Sequence, residues 1–348
     1  MSTFRAALGE PETVREGPGT APRDTTLLSL RTGARHGVNA PQGGRLQETS
    51  AAPKPAAETT IPSETPPRWR ALLRELAVRP SKGKGQNFLT DRGIVARIAD
   101  AAELAPGMTT VEIGPGLGIL TAELLERVGP DGRVIAVELD RRLAAHIREE
   151  FGAATTLTVI EGDVLRRPIA TILAGIPEGT PYALVANLPY NITSAVLRHF
   201  LDDPRRPASL TVMVQREVAE RIVARPPEMS ILAVAIQFYG TPRIALRIGP
   251  DAFIPRPKIE SAVLHIAATS APPLPQAAIP DFFAIVAAGF GQKRKQLANS
   301  LTAGLPLPKE TIGAALAAAG LAPARRAETL SVAEWLALHA TITPLLPT

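Results

Sequence analysis

From Thr109 onward the chain alternates short, nearly unbroken apolar runs with stretches in which apolar residues recur every three or four positions. The runs TTVEIG (109–114), RVIAVELD (133–140), LTVIEGD (157–163) and YALVANLPY (182–190) read as buried strands. ILTAELLERV (119–128) and RRLAAHIREEF (141–151), lying between them, read as amphipathic helices. SLTVMVQREVAERIV (209–223) and ILAVAIQFYG (231–240) continue the alternation. Strands that alternate with helices predict an α/β domain with a largely parallel, doubly wound sheet.

On either side of this region the pattern changes. Up to about Thr65 the sequence is Pro, Gly, Ala, Ser and Thr with scattered charges and no helical or strand period, so residues 1–66 are expected to be a disordered N-terminal extension. Folded structure is expected from RWRALLREL (68–76), which has helical spacing. After Asp251 the strand period fades. A Pro-rich link, SAPPLPQAAIP (270–280), precedes the helical stretches DFFAIVAAGF, KETIGAALAAAG and SVAEWLALHA. The expected division is thus 1–66, an α/β domain at 67–250, and a small all-helical C-terminal domain at 251–348.

Composition narrows the chemistry. The 348 residues contain no cysteine, which removes thiolate zinc sites, disulfides and cysteine nucleophiles. The five histidines show no ligand-like spacing, so no metal is expected. No run approaches the roughly 18 consecutive apolar residues that a membrane span requires, and a cytoplasmic, membrane-free protein is expected. The net charge of +5 suits a polyanionic partner. Residues 1–67 hold seven basic and seven acidic side chains, so the surplus belongs to the folded body.

In an open parallel sheet, ligands bind beyond the carboxyl ends of the strands. The four strand-like runs end in EIGPGLG (112–118), ELD (138–140), EGD (161–163) and NLPY (187–190). Glu112, Glu138, Asp163 and Asn187 follow one another at intervals of 26, 25 and 24 residues, one strand–helix unit each, so all four should line one edge. The glycines at 114, 116 and 118 let the backbone approach a ligand. Their spacing departs from the G-x-G-x-x-G of dinucleotide sites. A carboxylate at Glu138 can accept from ribose hydroxyls and one at Asp163 from an adenine amino group. An adenosine without a pyrophosphate fits this set, which points to S-adenosylmethionine rather than NAD. Each acid taken singly also reads as a helix cap.

NLPYNIT (187–193) then has a candidate role. The Asn187 side-chain oxygen and the Leu188 carbonyl can accept both N–H bonds of an adenine N6 amine and favour a pyramidal nitrogen. Pro189 fixes the corner and Tyr190 can stack on the base. Read without this context, the segment is a Pro-terminated strand with a packed tyrosine.

GQNFLTD (85–91), VEIGPGLGILT (111–121), VELD (137–140), GDVL (162–165), NLPYNIT (187–193), FIPRPKIESAVL (253–264) and FGQKRKQLANSL (290–301, read as a helix) occur in one order. Together they resemble the small-subunit rRNA adenine dimethyltransferases of the KsgA/RsmA type. The resemblance runs from about Lys82 to the C-terminus, with Lys84 as a departure where an apolar residue is expected. It implies a Rossmann-like S-adenosylmethionine-dependent methyltransferase domain followed by a helical RNA-binding domain, and N6,N6-dimethylation of two adjacent adenosines in a hairpin near the 3′ end of 16S rRNA. By motif, Asn87, Leu89, Gly114, Gly116, Glu138, Asp163 and Asn187 would contact the donor. Asn187, Leu188, Pro189 and Tyr190 would hold the target amine, with Phe253 stacking opposite Tyr190. Extrusion of the base into such a pocket is what chemistry on a base demands. Lys293, Arg294, Lys295, Arg325 and Arg326 form a plausible phosphate-contact surface. The partner implied is 16S rRNA in a small-subunit precursor, met by a monomer with no obligate protein partner.

Three other readings stay open: a 23S rRNA adenine N6-methyltransferase of the macrolide-resistance type, which shares the donor site and an N-(I/L)-P-Y corner; a non-catalytic rRNA-binding assembly factor; and a DNA adenine methyltransferase, disfavoured by Leu188 where D/N-P-P-Y has proline.

Overall fold

A computed structural model describes residues 67–78 and 87–347. The elements run in the order α1 (Pro67–Glu75), β1 (Phe88–Leu89), α2 (Arg92–Ala101), β2 (Thr109–Ile113), α3 (Ile119–Val128), β3 (Arg133–Glu138), α4 (Arg141–Glu150), β4 (Leu157–Glu161), α5 (Ile169–Ile172), β5 (Tyr182–Asn187), α6 (Thr193–Leu201), β6 (Ser209–Gln215), α7 (Arg216–Val223), α8 (Ile231–Tyr239), β7 (Gly240–Ile248), β8 (Phe253–Ile254), β9 (Ser261–Ala268), α9 (Ile279–Phe290), α10 (Leu297–Gly304), α11 (Lys309–Ala318) and α12 (Val332–Ile342). The expected N-terminal extension and Lys84 lie outside the described residues.

The main sheet has seven strands in the order β4-β3-β2-β5-β6-β9-β7. The first five are parallel, with Val111 opposite Ile135 on one side and Leu184 on the other. All five residues of β2 are buried, as a strand covered on both faces requires. Side chains cap the intervening helices: Asp91 accepts from Ile94 N, Asp140 from Arg142 N and Ser230 from Ala233 N. Chain order reverses between β2 and β5, which leaves a crevice at their carboxyl ends.

Beyond β6 the structure departs from the sequence reading in two places and assigns one run that the reading had left between strand and helix. Strand structure does not stop at Asp251, because β9 lies antiparallel between β6 and β7, and β8 pairs with β1 through Phe88–Ile254 and Leu89–Phe253. The helical block therefore starts at Ile279. The run ILAVAIQFYG forms α8, which is apolar all round and buried on nearly every side, a pattern that periodicity alone does not separate from a buried strand. Finally, FGQKRKQLANSL is not one helix. Helix α9 ends at Phe290, residues 291–296 form exposed turns, and α10 starts at Leu297.

Helices α9 to α12 pack onto the α/β layer rather than standing apart from it. The ring of Phe238 in α8 stacks on Phe282 in α9 at 4.7 Å, and one continuous core joins the sheet to Trp335. Trp335 is fully buried against Gly289, where a Cβ would come within 2.4 Å of its ring. Among the described residues no helix is long and apolar enough to cross a membrane.

Candidate active site

The crevice at the ends of β2 and β5 is a cleft, and the residues that the sequence reading placed on one sheet edge do converge there. Glu112, Glu138, Asp163 and Asn187 all line it, joined by Asn87 just before β1, by Leu89 in β1 and by Gly114 and Gly116 from the turn after β2. That turn requires glycine. Gly114, Gly116 and Gly118 have φ of 68°, 59° and 81°, in the left-handed region. At Gly118 a Cβ would also sit 2.6 Å from the Phe151 ring, and at Gly116 3.1 Å from the Phe88 ring.

The carboxylates differ in what holds them. Glu138 Oε2 accepts from Gly116 N at 3.1 Å and Oε1 from Asp140 N at 2.8 Å, so the second strand clamps the glycine turn. Burial raises the pKa of Glu138, and those backbone bonds oppose the rise. Asp163 is half committed to its own backbone. Its Oδ1 accepts from Leu165 N at 3.0 Å, and its other oxygen lies 3.5 Å from Arg166. The helix-cap reading of Asp163 is thus true of one oxygen, while the residue still borders the cleft. Glu112 is fully buried, with Oε2 accepting from Thr121 at 2.7 Å. Burial, with a smaller contribution from the Glu138 charge, pushes its carboxyl up to about 8 against the Thr121 hydrogen bond.

At the end of β5, Asn187 Nδ2 donates to the Asn87 carbonyl at 3.2 Å. This bond fixes which end of the amide is which: the nitrogen is spent on Asn87, and the oxygen is left to accept. Leu188 is buried and borders the cleft, and among the described residues no donor engages its carbonyl. The Pro189 carbonyl accepts from Ile192 N at 3.1 Å, closing the corner. Tyr190 lines the cleft, and its hydroxyl is 2.6 Å from Ser261 Oγ at the start of β9.

Two expected placements need correction. Phe253 does not line the cleft; it is 3% exposed, paired with Leu89 and packed in the core that holds Val95 and Val263. Pairing of β8 with β1 turns it inward, so it backs Leu89, while Tyr190 lines the cleft. Arg325 is not a free surface cation either, since it bonds Glu334 and both the hydroxyl and the carbonyl of Thr329. Lys293, Arg294, Lys295 and Arg326 are exposed. The hydrogen bond from Leu297 N to the Arg325 carbonyl, at 2.7 Å, brings the two basic stretches side by side.

Three features escaped the sequence reading. Leu139 is 61% exposed on the cleft rim, an apolar side chain that solvent alone would not favour there. Its position directly after Glu138 is the signal that could have found it. Ser261 and Thr121 act through contacts 71 and 9 residues away in sequence, and no local pattern announces the first of these. The residues present suit an adenosyl sulfonium: a glycine turn open to close approach, buried acceptors, apolar cover from Leu117 and Leu139, and no cluster of metal ligands among the described residues.

Residues 80–343 match the family model described as ribosomal RNA adenine dimethylase. The chain belongs to that family. Similar proteins include the ribosomal RNA small subunit methyltransferases A of Dehalococcoides mccartyi, 43% identical over 81% of this chain and 94% of that one, and of Moorella thermoacetica, 42% identical over 80% and 98%. Among solved structures, the 23S rRNA methyltransferase ErmE is 30% identical over 74% of this chain and all of that one, with a TM-score of 0.59. A dimethyladenosine transferase from Plasmodium falciparum shares the fold at 20% identity, with a TM-score of 0.62 over 74% of this chain and 98% of that one. As a member of the ribosomal RNA adenine dimethylases, the chain is an S-adenosylmethionine-dependent rRNA adenine methyltransferase with a Rossmann-like core.

Proposed function

We propose that this dimethylase family member transfers methyl groups to N6 of two adjacent adenosines in a hairpin near the 3′ end of 16S rRNA. It does so as a cytoplasmic monomer acting on a small-subunit precursor. The observation that carries the chemistry is the Asn87–Asn187 hydrogen bond, which spends the amide nitrogen and, among the described residues, leaves Asn187 Oδ1 to accept beside the equally unengaged Leu188 carbonyl, both residues lining the cleft. S-adenosylmethionine, when bound, supplies an electrophilic methyl group on sulfur.

The chain's own residues do the rest by positioning. Adenine N6 is a poor nucleophile because its lone pair is delocalised into the ring. Donating both N–H bonds to Asn187 and Leu188 favours a pyramidal nitrogen with its lone pair directed into the cleft. Methylation makes that nitrogen cationic, and its proton then leaves to solvent, so no strong base is required. Tyr190, anchored through Ser261, presents its ring to the extruded base. Glu138 and Asp163 have acceptor capacity for ribose and adenine, and Asn87 and Leu89 border the same donor space. Lys293, Arg294, Lys295 and Arg326 would hold phosphates without reading sequence.

The choice of small-subunit RNA is supported by the curated relatives, which are more similar over more of the chain than the 23S enzyme is. The similarity to that enzyme keeps the 23S substrate as a second reading. The test supplies undermethylated small and large subunits with the purified chain and radiolabelled S-adenosylmethionine, and maps the label by primer extension. Stops at two adjacent adenosines near the 16S 3′ end are expected. Label confined to 23S rRNA would replace the substrate assignment, and binding without label would remove the catalytic one.

A further inference from the structure

Glu112 is a cleft carboxyl that the roles above leave unused; Asp140, the other one, is committed to capping α4 and to Arg142. It is the penultimate residue of β2, just before the glycine turn, is 1% exposed and forms part of the cleft wall. Oε2 is taken by Thr121, whereas Oε1 is buried with no hydrogen-bond partner among the described residues. Its strand neighbours are apolar, Ala136 on β3 and Val185 on β5, and α3 offers only the Thr121 hydroxyl. No Lys or Arg is paired with it among the described residues. The charged group that faces it is another acid, Glu138. A carboxylate enclosed in this way, with one oxygen unsatisfied and no cation, is better off protonated.

We infer that Glu112 stands uncharged in the free enzyme and releases its proton when the cationic donor enters the cleft, which makes it a determinant of preference for the sulfonium donor over the neutral thioether product. The inference rests on the donor assignment above. Donor and product share the adenosine and amino-acid ends, so hydrogen bonds to those ends cannot tell them apart; they differ by one methyl group and one positive charge at sulfur. A cation within about 4–6 Å in a low-dielectric site lowers an acid's pKa by about 1–3 units. On donor entry the Glu112 O–H bond breaks and the proton passes to solvent. Once the methyl has been transferred sulfur is neutral, and Glu112 takes a proton back. Because burial holds the free carboxyl up at about 8, the exchange belongs to neutral pH and fades above that value.

Calorimetric titration of the whole chain with S-adenosylmethionine and with S-adenosylhomocysteine, in buffers of different ionisation heat at pH 7, counts the protons released. The donor is expected to release up to about one proton more than the product. The shared amino group cancels in that difference. The donor-to-product affinity ratio should rise with pH by at most about tenfold per unit and level off above pH 8. Glu112→Gln should abolish the extra proton and flatten the ratio. If that variant does not fold, Thr121→Val, which keeps the side-chain shape and removes the stabilising hydrogen bond, should move the levelling point to higher pH. Equal proton counts for the two ligands would overturn the inference, as would an undiminished count in Glu112→Gln, which would transfer the proton to Glu138. Failure of the donor to bind would instead strike the donor assignment itself.

Discussion

Asn187 shows how one hydrogen bond assigns a direction to an amide. The sequence marked the residue by its place at the end of the fourth strand, but only the contact with the Asn87 carbonyl, 100 residues away, states that the oxygen is the free end. Asn187→Ala should leave donor affinity within a few-fold and reduce single-turnover methylation by about 10²-fold or more, the scale seen on removing an oriented polar contact. Slowed methyl transfer with retained donor binding is the signature to look for, and wild-type rates would remove the role. Tyr190 was legible as a stacking ring, whereas its tether was not, because Ser261 belongs to a strand that the sequence pattern did not reveal. Tyr190→Phe and Ser261→Ala should each weaken turnover on RNA by a few-fold. Combined, they should cost little more than either alone, since one hydrogen bond is lost in all three variants. Additive losses would separate the two residues.

At the scale of single elements, the helices with one apolar face, α3 after its glycine turn and α4 behind its Asp140 cap, stand where their spacing placed them. The buried α8 and the turn at 291–296 do not reveal themselves, for opposite reasons. The first lacks a polar face, and the second is broken by tertiary contacts: Leu297 N, which would have continued a helix, is claimed by the Arg325 carbonyl. The start of α12 shows where Arg325 belongs. Ser331 and Glu334 form a capping box, and Arg325 holds the same Glu334 carboxylate well below its usual range, at about 2. A depressed folded-state pKa means that this stabilisation is complete above about pH 4.5 and is lost as pH falls toward 2. Arg325→Met should therefore lower stability at neutral pH by about 1 kcal/mol, with the difference from wild type shrinking under acid conditions. Denaturant melts at pH 7 and pH 3 check both the sign and the trend. RNA affinity should change little.

For the whole molecule, the alternating pattern conveyed a doubly wound sheet and the edge on which its ligands gather, because parallel strands buried on both faces are written as continuous apolar runs. Its antiparallel completion was hidden. β9 follows a loop of prolines and charges at 255–260, and its strand character comes from the partners waiting on β6 and β7, while the short β8 is held by β1. Basicity, too, acts at this scale. Lys293, Arg294 and Lys295 share an exposed turn beside Arg326, so replacing the three with Gln should weaken rRNA binding and reduce the slope of log affinity against log salt by up to about two. Donor affinity should not move. An unchanged salt slope would take this turn out of the RNA-facing surface.

The tether between Tyr190 and Ser261 also bears on how the protein is made. A ribosome releases the glycine turn and all five parallel strands well before it releases β9, so a growing chain can assemble its donor cleft while the ring beside the target base still swings untied. Full turnover toward RNA is therefore expected to arrive late in synthesis. Until residue 261 emerges, a nascent chain should act on RNA no better than the Ser261→Ala variant does.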